Sequence, residues 1–200
     1  MNSYIRRNCF IRRLERAMRV ITGKCRGKKL VTLEGLDTRP TTDMVKEAIF
    51  SVIQFDIAGA SVLDLFAGSG QMGIEALSRE ASHCVFVDSN PEAVKIVRQN
   101  LNDCKLINDA RILGMDSMEY LRVSKGGFDI VFLDPPYKSG LIQQALGLLG
   151  GKLNDGAIVV CEHEKELELD ESYGELRLHK RYKYGKTAVT VFRLPAEEEI

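Results

Sequence analysis

The sequence predicts one α/β domain, with a seven-stranded, mostly parallel sheet closed by an antiparallel C-terminal hairpin and preceded by a small N-terminal β-hairpin. Three observations carry that expectation. Beyond Gly59, short apolar runs alternate with amphipathic stretches; the last two strand-like runs have only a short linker between them; and 200 residues at 44% hydrophobic content fill one substantial core but not two.

Each element follows from its local pattern. From Met18, MRVITGKCRGKKLVTL reads as two short strands around a Gly- and Lys-rich turn. In TRPTTDMVKEAIFSVI, Thr41 or Thr42 caps a helix whose Val45, Ala48, Ile49 and Val52 recur at helical spacing. Apolar runs at Ser61–Leu65, Cys84–Val87, Arg111–Leu113, Phe128–Leu133 and Ala157–Cys161 suit strands buried on both faces. Helical patterns at Gly70–Ser78, Pro91–Leu101, Ser117–Val123 and Leu141–Leu149 lie between them, which makes the connections βαβ crossovers and the strands parallel. Glu175–Arg181 and Ala188–Arg193 are too close in sequence for a crossover helix and pair antiparallel. The expected organisation is a basic extension over 1–17, the hairpin and a linker over 18–41, and the main domain over 42–200.

Composition narrows the setting. No apolar run approaches the ~20 residues that cross a bilayer, and the basic N-terminus lacks the apolar stretch of a leader, so a cytoplasmic chain with no membrane partner is expected; a monomer is the expected state, although nothing in the sequence fixes it. Cys9, Cys25, Cys84, Cys104 and Cys161 include no CxxC pair, and His83, His163 and His179 are isolated, so neither a disulfide framework nor a metal site is expected. Net charge is zero, yet the first 50 residues carry twelve Lys and Arg against five Asp and Glu. That asymmetry fits either a polyanion contact at one edge or a solvated charged surface.

The glycine-rich turn in VLDLFAGSGQMGIEAL follows a strand and opens a helix, and Gly68 to Gly73 fits GxGxxG. The pattern alone serves dinucleotides and S-adenosylmethionine equally. Asp64, four residues before Gly68, separates them. A carboxylate there repels a pyrophosphate by about 4 kcal/mol at ~4 Å and an effective dielectric near 20, but attracts the ammonium of a methionine moiety. The expected cofactor is therefore S-adenosylmethionine, lined by Phe66, Ala67, Gly68, Ser69 and Gly70. Asp88 ends the next strand, twenty residues after Gly68, where it can accept both ribose hydroxyls. Ser89 and Asn90 follow; Asn90 before Pro91 serves equally as a helix cap. Asp116 can accept the adenine amino group beside Met115 or Ser117, and can also cap the helix that starts there.

The fourth strand reads FDIVFLDPPY and ends in Asp134, Pro135, Pro136 and Tyr137. Two prolines stop the strand and fix a carboxylate and a peptide carbonyl at the carboxyl edge of the sheet. An exocyclic base amine is a poor nucleophile because its lone pair is delocalised into the ring. If the Asp134 carboxylate and the Pro135 carbonyl accept its two hydrogens, the lone pair turns toward an incoming methyl. Asp134 can take the released proton. Tyr137 would stack on the base, which must arrive unpaired or flipped.

A sheet of this kind resembles the Rossmann-like class I S-adenosylmethionine-dependent methyltransferases, and the DPPY turn matches the (D/N)PP(Y/F) signature of amino-group methyltransferases. TRPTTDMVKEAIFSVI, LDLFAGSGQMGIEALSRE, FVDSN, FDIVFLDPPY and KYGKTAVTVF together resemble the RsmD-type 16S rRNA guanine-N2 methyltransferases, from about Met18 to Phe192. The resemblance implies methylation of one guanine of 16S rRNA in assembled or assembling small subunits, with Asp64, Gly68, Gly70, Asp88, Asp116 and Asp134 to Tyr137 as its site. It also implies that Arg39, Pro40 and Thr41 approach the substrate; a capped turn is their plain alternative. Gln71 and Glu80 depart mildly from the pattern. Independently, Lys24, Arg26, Lys28 and Lys29 of the N-terminal hairpin are expected beside the catalytic edge, where they would bind phosphates. The rivals are an adenine-N6 or DNA methyltransferase, a protein-glutamine or small-molecule methyltransferase, and a non-catalytic assembly factor with this fold.

Overall fold

The computed structural model describes residues 18–33 and 43–196. In chain order the elements are α1 (Asp43–Val52), β1 (Ser61–Asp64), α2 (Gln71–Ser78), β2 (His83–Asp88), α3 (Pro91–Asp103), β3 (Ala110–Gly114), α4 (Ser117–Val123), β4 (Phe128–Leu133), α5 (Leu141–Leu148), β5 (Leu153–Glu164), β6 (Ser172–Tyr173), β7 (Leu176–Tyr184) and β8 (Thr187–Arg193). They build one sheet in the order β3-β2-β1-β4-β5-β8-β7-β6. The first five strands of that order are parallel, and β8, β7 and β6 continue it antiparallel.

All seven expected strands form. The sheet has eight because Ser172 and Tyr173 fold back on Leu176 and Arg177 around Gly174, whose φ of 61° is in the left-handed region. A two-residue strand at an edge buries too little to leave an apolar pattern in sequence. The crossover helices lie where their periodicity places them. The proposed caps Thr41 and Thr42 lie outside the described residues, as do residues 1–17.

Helices cover both faces of the sheet. On one, Phe50, Ile53, Ile74, Phe86, Leu101 and Phe132 are buried together; on the other, Leu63, Leu65, Leu121, Val131, Leu146 and Phe192. Cys25, Cys84, Cys104 and Cys161 are buried free thiols, and His163 is buried with Nε2 2.8 Å from Thr190 Oγ1. Among the described residues no helix is long and apolar enough to cross a membrane, and no group of His, Cys, Asp and Glu is arranged to hold a metal ion.

The N-terminal segment is shorter in its pairing than expected. Arg19 and Lys29 form one antiparallel bridge, flanked by Val20 N–H to Lys28 O (2.9 Å) and Leu30 N–H to Met18 O (2.8 Å). Its anchor is Glu75 of α2, wholly buried, whose carboxylate accepts from Ile21 N–H (2.7 Å), Thr22 N–H (2.9 Å) and Arg79 Nε (2.8 Å). Lys46 of α1, also wholly buried, lies 3.9 Å from the same carboxylate and donates to Arg19 O at 2.6 Å. A charged pair survives burial only when its remaining hydrogen-bonding groups are met, and here backbone groups meet them. Asn100 of α3 fixes the returning strand, accepting from Val31 N–H (2.8 Å) and donating to Val31 O (3.0 Å).

Candidate active site

The strand order reverses between β1 and β4, and in open α/β sheets the crevice at such a point is where ligands bind. The glycine loop after β1 opens into it. Leu65 N–H donates to Phe132 O (3.2 Å) and Ala67 N–H to Val87 O (3.0 Å), so the loop is tied to the strands on both sides. Gly68 and Gly70 have φ of 53° and 77°, which a Cβ would strain. A Cβ on Gly73 would stand 2.3 Å from Phe86 Cε1 and 2.6 Å from Cys84 Sγ, so α2 reaches β2 only because that position is bare. A Cβ on Gly68 would meet nothing within 4 Å, so the space before the loop is open.

Three acidic residues surround that space. Asp64 is buried and accepts from Gly73 N–H at 3.0 Å, bracing the first turn of α2. Burial pushes its carboxyl up to about 7; the Gly73 bond opposes the rise and Asp88 adds to it. An arriving ammonium would stabilise the charged form. Asp88 accepts from Gly68 N–H and Asn90 N–H, both at 2.8 Å, one bond on each oxygen. Each oxygen keeps a lone pair for a ribose hydroxyl, with its direction already fixed. Asp116 is exposed and caps α4 by accepting from Glu119 N–H at 2.8 Å, while buried Ser117 donates to Leu65 O at 2.6 Å. Asn90 caps α3 through Glu92 N–H at 2.9 Å, so its side-chain oxygen is occupied. Ser89 is exposed beside it; Ser69 is buried, its hydroxyl 3.1 Å from Met18 Sδ. Gln71 Oε1, buried at the start of α2, has no hydrogen-bond donor among the described residues.

Asp134 leaves β4 half-buried, followed by buried Pro135 and exposed Pro136 and Tyr137. Asp64 pairs with Phe132 across β1 and β4, and side-chain alternation puts Asp134 on the same face, two residues beyond that rung. Burial raises the Asp134 carboxyl well above the usual range, and the charges of Glu162 and Asp64 raise it further. The Tyr137 hydroxyl lies 3.2 Å from Thr187 Oγ1, and Lys138 N–H donates to Glu164 Oε1 at 3.0 Å, so the DPPY turn rests on the ends of β5 and β8.

Glu162 is the site residue that sequence reading missed. It is buried, one residue past Cys161, which pairs with Leu133, and so stands beside Asp134. Its signal was an acidic residue closing the apolar run AIVVCE.

The expected place of the N-terminal basic residues is corrected. Lys24 N–H donates to Ser78 O (2.8 Å) at the last turn of α2, and Lys24 Nζ lies 4.0 Å from Glu80, whose carbonyl accepts from Gly59 ahead of β1. Lys24, Arg26, Lys28 and Lys29 are exposed; the turn that carries Lys24 and Arg26 sits at the amino edge of the sheet, opposite Asp134, while Lys29 lies back along α2 on its bridge to Arg19, next to Met18 and the glycine loop. Docking of the turn on the end of α2, invisible in sequence, decides the side. Arg39, Pro40 and Thr41 lie outside the described residues.

A glycine loop opening at the point where the strand order reverses, acidic residues closing β1 and β2, and a DPPY turn closing β4 define the class I S-adenosylmethionine-dependent methyltransferase fold. An RNA methyltransferase of Salinibacter ruber, solved in complex with S-adenosyl-L-homocysteine, shares that fold with TM-score 0.62 at 19% identity, covering 79% of this chain and 95% of the other. More specifically, the chain belongs to the RsmD family, whose pattern, described as "Conserved hypothetical protein 95", it matches over residues 18–193. It is 41% identical to the protein YlbH of Bacillus subtilis over 88% of this chain and 98% of that one. It is 34% identical to ribosomal RNA small subunit methyltransferase D of Escherichia coli over 91% and 92% of the two chains. The solved Escherichia coli protein yhhF superposes with TM-score 0.78 at 34% identity, over 90% of this chain and 99% of the other.

Proposed function

We propose that this chain is an S-adenosylmethionine-dependent rRNA methyltransferase that places a methyl group on the exocyclic N2 amine of a guanine in 16S rRNA. The observation that carries it is the Asp134-Pro135 pair, held at the end of β4 on the strand next to Asp64. The name of the Escherichia coli relative supports the substrate class. A chain acting on small ribosomal subunits works in the cytoplasm, as a monomer on this reading.

The residues present fit the cofactor. Asp64 offers a buried carboxyl poised to charge beside an ammonium, Asp88 offers two oriented acceptors for a ribose, and bare Gly68 leaves the approach clear. Asp116 keeps an oxygen free of its capping bond for an adenine amine. Bound S-adenosylmethionine supplies an electrophilic methyl on a sulfonium. Asp134 and the Pro135 carbonyl accept the two hydrogens of the guanine amine, which localises the nitrogen lone pair. Such a cofactor would pass its methyl to the guanine nitrogen and leave as the thioether, and Asp134 would take the N–H proton, a role that its raised pKa favours. Tyr137, anchored through Thr187, walls the base pocket. Arg39, Pro40 and Thr41 remain candidates for positioning the substrate.

Labelled methyl transfer to unmodified small subunits, followed by mass analysis of the nucleosides, tests this. N2-methylguanosine is the expected product. N6-methyladenosine would replace guanine by adenine, and RNA binding without transfer would make the chain an assembly factor.

A further inference from the structure

With the N-terminal Lys24 turn at the amino edge, the described cations nearest the DPPY turn are those of the C-terminal hairpin. From Leu176 to Lys186 the chain carries five Lys and Arg, one His and no acidic residue. The tip of this hairpin lies at the carboxyl edge of the sheet. Thr187 pairs with Glu164, the last residue of β5, and with Tyr184, and Lys165 N–H donates to Lys186 O at 3.0 Å. The DPPY turn leans on the same tip through Tyr137 and Thr187.

Along β7, Lys180, Tyr182 and Tyr184 share one face. Tyr182 pairs with Val189 of β8, which pairs with Glu162 of β5, so Tyr182 stands on the rung that leads to Asp134. The half-buried rings of Tyr182 and Tyr184 are stacked, 6.4 Å between centroids and 17° between planes, with the Lys180 ammonium 5.4 Å above Tyr182. Lys180, Lys183 and Lys186 are exposed. Aromatic rings in a row, flanked by solvated ammonium groups, make a surface for unpaired nucleotides: the rings take base faces and the ammoniums take phosphates.

Resting on the reading of this chain as an RNA methyltransferase, we propose that the β7–β8 hairpin is the RNA-binding rim of the active site. Tyr182 and Tyr184 stack the unpaired nucleotides next to the target base, while Lys180 on the same face and Lys186 at the hairpin tip neutralise their phosphates; Lys183 lies on the opposite face of β7. Lysines on an outer strand also prevent edge-to-edge pairing, and the test separates the two roles.

Binding of an unstructured polyuridine oligonucleotide and of unmodified small subunits is measured by fluorescence anisotropy across a salt series, beside S-adenosylmethionine affinity by calorimetry and methyl transfer. The double variant Lys180→Gln, Lys186→Gln is expected to lower the slope of log affinity against log salt by about 1.4, at ~0.7 per contact on a single strand, with cofactor affinity unchanged. Tyr184→Leu, which keeps an apolar side chain in place, is expected to weaken binding about 10-fold at constant slope. Lys24→Gln with Lys28→Gln should leave binding to the oligonucleotide intact. Wild-type affinity and slope in the double variant, alone or with self-association, would overturn the proposal while leaving the methyltransferase reading untouched. A wild-type chain that neither binds RNA nor transfers methyl would overturn both.

Discussion

Asp134 and Glu162 stand side by side, one residue past the paired Leu133 and Cys161 on neighbouring parallel strands. Two acidic side chains at the end of a buried ladder cannot both ionise cheaply: burial first, and then the charge of Glu162, raises the Asp134 carboxyl above its ordinary range.

Glu162→Gln removes a negative neighbour and so lets Asp134 ionise at lower pH. If transfer requires the Asp134 carboxylate, the rising limb of kcat/KM against pH moves toward acid in this variant. An unmoved limb would separate Glu162 from the chemistry.

Asp134→Asn is expected to lower kcat by about 10²- to 10³-fold, the scale of losing one oriented polar group at a reacting centre. It should still fold. A carboxyl whose native pKa is raised supports folding while protonated, fully below its unfolded value near 3.9, and loses that support as pH rises through the native value. Wild-type stability relative to this variant should therefore decline as pH rises, which urea titrations across pH would show.

Asp64 titrates near 7 before any cation arrives, so affinity for S-adenosylmethionine should strengthen as pH rises through about 7 and then level. Asp64→Asn retains an acceptor for Gly73 N–H but loses the charge. Calorimetry should find affinity about 10- to 100-fold weaker and nearly flat with pH. Equal affinity in the two proteins would remove Asp64 from the cofactor site.

Two glycines of one loop should fail in different ways. Gly73→Ala drives a Cβ into Phe86 and Cys84 and should cost ~1–3 kcal/mol in denaturant unfolding. Gly68→Ala meets open space, pays ~1–2 kcal/mol for its left-handed φ, and should act chiefly on cofactor affinity. The opposite ranking of stability losses would contradict the packing described.

Glu75→Ala leaves Lys46 buried without its carboxylate and frees the amides of Ile21 and Thr22. Breaking such a pair costs about 3–5 kcal/mol, and hydrogen exchange should speed at those two amides. Retained protection there would show that the N-terminal segment has another anchor.

The fold was legible where one physical signal dominates: apolar runs gave the parallel strands, and the glycine and DPPY turns marked the two ends facing the crevice. Glu162 and Glu75 escaped because a single acidic residue in an apolar pattern looks like an irregularity until a neighbour is placed against it. Asn90 and Asp116 were ambiguous between cap and ligand, and both do cap. The basic N-terminal turn was assigned to the wrong edge because charge along a chain carries no information about which helix end it docks on. The basic strand β7, equally visible in sequence, became meaningful only once its rung to Glu162 was known.

Asp64 closes β1, and Asp134 follows directly on the end of its hydrogen-bonded neighbour β4. Their separation is thus set mainly by the sheet, about 4.8 Å across one strand spacing and ~3.3 Å along for each of the two residues by which Asp134 passes the Asp64–Phe132 rung. Grafting new recognition loops around this crevice should redirect it to other bases without disturbing the line along which methyl and amine meet.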